Sequence, residues 1–330
     1  MYNINQNILF TAIILALCVS AFVHVFLFPL YISPSHTLTK SFVDLEQSLC
    51  TNNILKYRKE WARQQCPLYG IVTTMQGGRL GNQMWEYASV WAVARRTGLE
   101  PYVPRCIRVR LDQVFESLSV PTLEEIAHCP VDMTFFVNSL DAWNFTRQSI
   151  ILPRYSLQPD IVLSWVQDII SEFTFKKKLF NKSQQILQRA AKNISHPVFV
   201  GVHVRRTDYI GYLWRKHTVQ PASFKFYYAA MKYYNQKYKN VVFIVVSDEP
   251  AWCIKFFGKL KNVYITSRSI PNSPSLDLAI LSSCNHSIID YGTFGTWGAI
   301  LAGGETIFYN ISQSSVARVG QILPHWKSIP

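Results

Sequence analysis

Acidic side chains are scarce in this chain: 20 Asp and Glu stand against 33 Lys and Arg over 330 residues. No two aspartates are spaced as Asp-x-Asp, so the triplet that holds a divalent metal against a nucleotide diphosphate is missing, and neither a metal nor another cofactor is expected. His-x-x-x-His and Cys-x-x-Cys pairs are also missing, as is the Gly-x-Ser-x-Gly elbow of a serine hydrolase. No internal repeat or low-complexity tract interrupts the body of the chain. Charged residues reach only 16%, against 49% hydrophobic and 14% aromatic, which excludes disorder for most of the length.

The net charge of +13 suits nucleic acid, an acidic membrane surface or a phosphorylated small molecule, and the compartment separates these. Residues 8–28 form an apolar run broken only by Thr11, Cys18, Ser20 and His24, enough to span a bilayer at about 20 residues. We read residues 1–7 as a cytoplasmic tail, 8–28 as a transmembrane signal-anchor and 29–65 as a stem. Val19 and Ala21 also suit a signal-peptide cleavage site, but the run continues through Phe28. The first seven residues carry no Lys or Arg, so orientation rests on glycosylation sequons at Asn144, Asn181, Asn193 and Asn310, which point to a lumenal body. A further sequon at Asn285 lies inside a packed motif and is expected to be unused. Beyond Cys18, six cysteines are expected in an oxidising lumen, and spacing does not decide how they pair. A lumenal body excludes nucleic acid as a partner and makes the membrane one.

From Cys66 onward the pattern is α/β. Tyr69–Met75 reads as a strand, followed by a glycine turn and a helix with Leu80, Met84, Tyr87, Trp91 and Ala94 on one face, stopped at Gly98. Glu100–Pro104 reads as a short strand, while Leu123–Ala127 and Ile161–Phe173 read as helical. Strand and helix then alternate. Strands are expected at 198–204, 241–246, 263–266, 287–290 and, as the last strand, 306–309; helices are expected from Pro221, at 250–258, at 276–284 and from 293 through Ala302. Such alternation builds a parallel sheet with ligands at the carboxyl ends of its strands. Residues 66–197 are expected to form an acceptor-side lobe and 198–330 a donor-binding lobe.

His203-Val204-Arg205-Arg206-Thr207-Asp208 follows a strand and offers two guanidiniums, one of which can grip a diphosphate while Asp208 holds the other. An interfacial Arg–Asp pair without a ligand is the alternative, and His203 by itself reads as a structural histidine. Gly77-Gly78-Arg79-Leu80-Gly81-Asn82-Gln83 opens a helix where an anion is favoured, although a tight turn capped by Asn82 fits equally. Ser247 and Asp248 stand between strand and helix, as N-caps or as ligand acceptors. Gly292-Thr293-Phe294-Gly295 is a further helix entry facing phosphate.

Together with Asp277-Leu278-Ala279-Ile280-Leu281, Cys284-Asn285-His286 and Gly292 to Trp297, these segments resemble the galactoside α-1,2-fucosyltransferases of glycosyltransferase family 11. The resemblance implies a GT-B-like, two-lobed Rossmann-type fold behind an N-terminal transmembrane helix. It also implies a single-pass type II Golgi protein and metal-independent, inverting transfer from GDP-β-L-fucose to a terminal β-galactoside of a glycan. On that basis Arg205, Asp208 and Asn82 are the candidate catalytic residues. His203, Arg206, Gly78, Arg79, Ser247, Asp248, Asp277, Thr293, Phe294 and Gly295 are the candidate donor contacts. A fucosyltransferase of another linkage and a non-catalytic lumenal lectin on a transferase scaffold are the competing readings.

Overall fold

The computed structural model describes residues 42–51, 65–129, 135–136, 149–192, 194–267 and 272–329. The expected anchor at 8–28, most of the stem, and Asn144 and Asn193 lie outside the described residues. Among the described residues no helix is long and apolar enough to cross a membrane.

A short helix α1 (Phe42–Leu49) precedes β1 (Ile71–Thr74), α2 (Leu80–Thr97), β2 (Glu100–Pro101) and α3 (Arg105–Leu111). Then follow β3 (Phe135–Phe136), β4 (Ile150–Leu152), α4 (Pro159–Val162), α5 (Val166–Glu172) and α6 (Lys177–Ala191). Strands β1 to β4 form one parallel sheet in the order β2-β1-β4-β3. The second half runs β5 (Val198–Val204), α7 (Tyr209–His217), α8 (Phe224–Lys237), β6 (Val241–Ser247), α9 (Pro250–Phe257) and β7 (Val263–Ile265). It continues through α10 (Pro274–Ser282), β8 (His286–Ile289), α11 (Thr293–Ala302), β9 (Thr306–Tyr309), α12 (Ser315–Ile322) and β10 (Trp326–Ile329). Its six strands form a second parallel sheet, β10-β9-β8-β5-β6-β7. The parallel α/β class is therefore as the sequence pattern predicts.

The strands form where β-branched side chains can be buried on both faces, as in a helix-covered parallel sheet. All seven residues of β6, Val-Val-Phe-Ile-Val-Val-Ser, are buried. Helix α2 stops where Gly98 turns left-handed at φ 75° and returns its N–H to Ala94. Pro274 occupies the first turn of α10, and the Ser273 side chain caps it by accepting from Leu276 N–H.

Several expectations need correction. The 161–173 segment is three short helical pieces rather than one, including a 3-10 turn at Leu163–Trp165. The helix expected from Pro221 begins at Phe224 and is preceded by an unexpected one, α7. Thr306–Tyr309 is not the last strand, because α12 and β10 follow and close the sheet edge. Four cysteines form two disulfides, Cys50–Cys106 and Cys66–Cys129, while Cys253 and Cys284 are buried free thiols. Apolar packing also crosses residue 197: Trp85 of α2 meets Trp297 of α11 at 4.8 Å between ring centroids, in one core with Val319 and Trp326.

Candidate active site

The order of the six-stranded sheet reverses at β5, whose neighbours are β6, next in sequence, and β8, reached only after β7. A crevice opens at such a switch point, beyond the carboxyl ends of the two diverging strands. His203 pairs in register with Ile289, so the residues that leave β5 and β8 there are Arg205 and Asp290.

Asp290 is the residue that sequence reasoning missed. It is fully buried. Its Oδ1 lies 3.0 Å from His203 Nδ1 and accepts from Tyr291 N–H at 2.8 Å. Its Oδ2 accepts the Arg205 N–H at 2.6 Å and the Tyr227 hydroxyl at 2.9 Å. Two backbone N–H groups, the Tyr227 hydroxyl and the His203 imidazole thus converge on its two oxygens. The signal available in the sequence was a lone aspartate ending the Ser-Ile-Ile run of β8.

The Arg205 guanidinium is held by Asp208 through Nη2 at 2.7 and 2.9 Å. Its buried Nε makes no hydrogen bond and faces Asp248 Oδ2 at 3.4 Å. Tyr291 donates its hydroxyl to Arg205 O at 2.6 Å, and the Tyr291 ring stacks on Tyr209 at 4.9 Å. Thus Asp208 holds Arg205, whereas Arg206 turns elsewhere: its Nε donates to Glu249 at 2.9 Å and its guanidinium lies 4.4 Å over the Trp252 ring. Arg79 reaches Asp208 at 3.7 Å from an exposed position.

Neither Ser247 nor Asp248 is the N-cap residue, since that position of α9 is Glu249. Ser247 Oγ accepts from Glu249 N–H at 2.9 Å, and Asp248 accepts from Arg206 N–H at 2.9 Å and from the Thr207 hydroxyl. Asp277, nearly buried on α10, accepts from Asn272 at 2.9 Å. Burial pushes its carboxyl up to about 6, against the opposing pull of Asn272 and His203. Asn82 does not cap α2, whose N-cap position is Arg79. Its Oδ1 instead accepts the Thr293 hydroxyl at 2.8 Å, which ties the start of α2 to the start of α11.

Glycines permit this approach. A Cβ on Gly81 would stand 2.7 Å from Phe294 N, and one on Gly295 would stand 2.6 Å from His203 Nδ1. Between the two sheets lies a cleft of about 1040 Å³. It brings together Gly78, Arg79, Asn82, His203, Arg205, Asp208, Ser247, Asp248, Asp277, Thr293 and Phe294; Arg206 and Gly295 do not line it. Among the described residues the one cluster with metal-ligand chemistry is Cys66, His128 and Cys129, and its two thiols are spent in a disulfide. Of the described sequon asparagines, Asn181, Asn285 and Asn310 are all exposed, and the Asn285 Oδ1 accepts the Phe199 N–H at 2.8 Å.

Residues 46–329 match the model of glycosyl transferase family 11. The chain is 32% identical over 283 residues to galactoside alpha-(1,2)-fucosyltransferase 2 of Mus musculus, covering 81% of each chain. It is 32% identical over 250 residues to galactoside 2-alpha-L-fucosyltransferase Sec1 of the same species, covering 73% of this chain and 67% of that relative. Among solved structures, fucosyltransferase NodZ from Bradyrhizobium aligns at a TM-score of 0.48 and 14% identity, over 74% of this chain and 97% of that one. POFUT1 in complex with GDP-fucose aligns at 0.48 and 12%, over 75% and 99%.

Proposed function

Since the chain belongs to glycosyl transferase family 11, we propose that it transfers L-fucose from GDP-β-L-fucose, with inversion, to the 2-hydroxyl of a terminal β-galactoside. The observation that carries this reading is the fixed Arg205 at the switch-point cleft, its backbone held by Asp290 and its side chain by Asp208.

Fucose departs with positive charge developing on its ring and negative charge on the leaving GDP, so catalysis rests mainly on stabilising the diphosphate. Arg205 supplies a preset guanidinium for the β-phosphate. The amino-terminal turn of α11, at Thr293 and Phe294, adds backbone N–H groups and the positive end of the helix dipole. These groups neutralise the leaving group without calling on a metal. Asp277 and Ser247 offer acceptors to the N–H groups of the guanine base. Asp208, bonded twice to Arg205, orients that arginine, and the general base role is secondary to it. Asn82, from the first sheet's side of the cleft, faces the reaction centre where the acceptor sugar enters.

The same reading makes the protein a type II Golgi membrane protein with residues 8–28 as anchor and a GT-B-like, two-lobed lumenal body. Two disulfides and exposed sequon asparagines at 181 and 310 support an oxidising lumen. The test is Arg205→Ala in the full-length chain. Loss of GDP affinity by about 2–5 kcal/mol with fucose transfer abolished is expected. Unchanged GDP affinity removes the diphosphate assignment.

A further inference from the structure

Among the described residues, Tyr155 is the one large aromatic side chain that the cleft exposes on the side of the first sheet, and none of the chemistry above uses it. It follows the carboxyl end of β4 and lines the cleft with Leu157, Val114 and Gln113. The residue is 53% exposed. Its backbone is left-handed at φ 61°, a conformation that costs a residue with a Cβ and persists only where its surroundings enforce it.

Those surroundings are specific. The Tyr155 N–H donates to Oε1 of Glu86, a fully buried carboxyl on α2, at 3.0 Å. The adjacent Arg154 donates to Gln76 O at 2.6 Å, pinning the loop to the segment before the glycine turn. The ring then lies along that turn: a Cβ on Gly77 would stand 3.0 Å from Tyr155 Cδ1, and one on Gly78 would stand 3.0 Å from Cε1. Gly77 and Gly78 therefore leave room for the Cδ1–Cε1 edge of the ring, which lines the cleft and stays half exposed. Asn82 joins the same patch, since a Cβ on Gly78 would collide with its amide.

We propose that Tyr155 is a stacking platform for the acceptor sugar, taking the apolar face of a pyranose ring. This rests on the functional reading given above, and it fits a galactopyranose. The axial hydroxyl of that sugar leaves one face carrying only C–H bonds, which pack on an aromatic ring as other apolar surfaces do. Donor recognition lies on β5, β6, α10 and α11, so the platform governs acceptor affinity and leaves donor affinity alone.

The experiment uses the full-length chain in detergent and phenyl β-galactoside as acceptor. Tyr155→Gly removes the ring and suits the left-handed backbone, so folding is not strained. It is expected to raise the acceptor KM about tenfold while the KM for GDP-fucose holds. Tyr155→Phe, which keeps the ring, is expected to restore acceptor affinity. An unchanged acceptor KM in Tyr155→Gly overturns the platform, as does an equal rise in the donor KM, or a Tyr155→Phe as impaired as Tyr155→Gly. If the wild-type chain fucosylates no galactoside, the functional reading fails and takes the platform with it. Transfer by the wild type with an insensitive Tyr155 removes the platform alone.

Discussion

His203 and Asp290 meet at the ends of adjacent parallel strands, Nδ1 to Oδ1 at 3.0 Å, and the same carboxylate anchors the backbone of Arg205. One buried group thus fixes both the imidazole and the backbone from which the Arg205 side chain enters the cleft. An amide at this position turns one acceptor into a donor and faces N–H and O–H groups that have no other partner. Asp290→Asn is expected to cost about 1–3 kcal/mol for each donor left unsatisfied. Thermal unfolding and GDP titration check it, and a variant with wild-type values in both contradicts the shared anchoring.

Gly81 lets α2 approach α11 backbone to backbone. Because the blocking atoms belong to the main chain of Thr293 and Phe294, a side chain here has nowhere to go. Gly81→Ala is expected to lose about 1–3 kcal/mol of stability. Transfer should fall with it as the Asn82–Thr293 bond is pulled apart, measurable as a lower kcat at saturating substrates. Full activity would mean that the two segments can separate without harm.

Glu86 gives a pH signature. Burial pushes its carboxyl from the ordinary 4.5 up to about 8, with hydrogen bonds from Gly77 and Tyr155 and the charge of Arg154 opposing. A raised folded value means that stability is full below about 4.5 and declines as pH rises through 8, since the unfolded chain releases this proton first. Glu86→Gln is expected to flatten that decline and to gain most relative to wild type at the alkaline end. Denaturant midpoints across this range decide it, and parallel profiles for the two proteins reject it.

Asp277, raised to about 6 by burial, lines the cleft, and the proposed donor site places it against the guanine base. As pH falls through 6 the carboxylate takes up a proton and becomes a poorer acceptor for a ligand N–H. GDP affinity is therefore expected to weaken on acidification through that value, and Asp277→Asn to lose the dependence. Calorimetric GDP binding between pH 5 and 8 reads it. A pH-independent wild type denies Asp277 a place in donor binding.

The sheet around the site was legible because its strands are compact β-branched runs, and β5 and β6 fall where Val198–Val204 and Val241–Val246 predict. The Arg205 and Asp208 motif was legible because adjacent chain residues form it. Asp290 was not: its partners His203, Arg205 and Tyr227 stand 87, 85 and 63 residues away, and only the pairing of β5 with β8 assembles them. The division of labour between the arginines was hidden for a related reason, since Glu249 and Trp252, which draw Arg206 away, lie on α9. Helix α7 escaped because Tyr209–His217 is short and Leu213 is its one buried residue, so little core packing marks it. Of the two roles open to Asn82, the capping one yielded to a contact with Thr293, 211 residues distant, which no local rule anticipates.

The most direct test incubates the full-length chain with GDP-fucose, EDTA and phenyl β-galactoside and determines the linkage of the product by NMR. The account predicts α-fucose on the galactose 2-hydroxyl, formed at an undiminished rate with the metal chelated and absent in Arg205→Ala. Fucose on another hydroxyl, or no transfer to any galactoside, contradicts it.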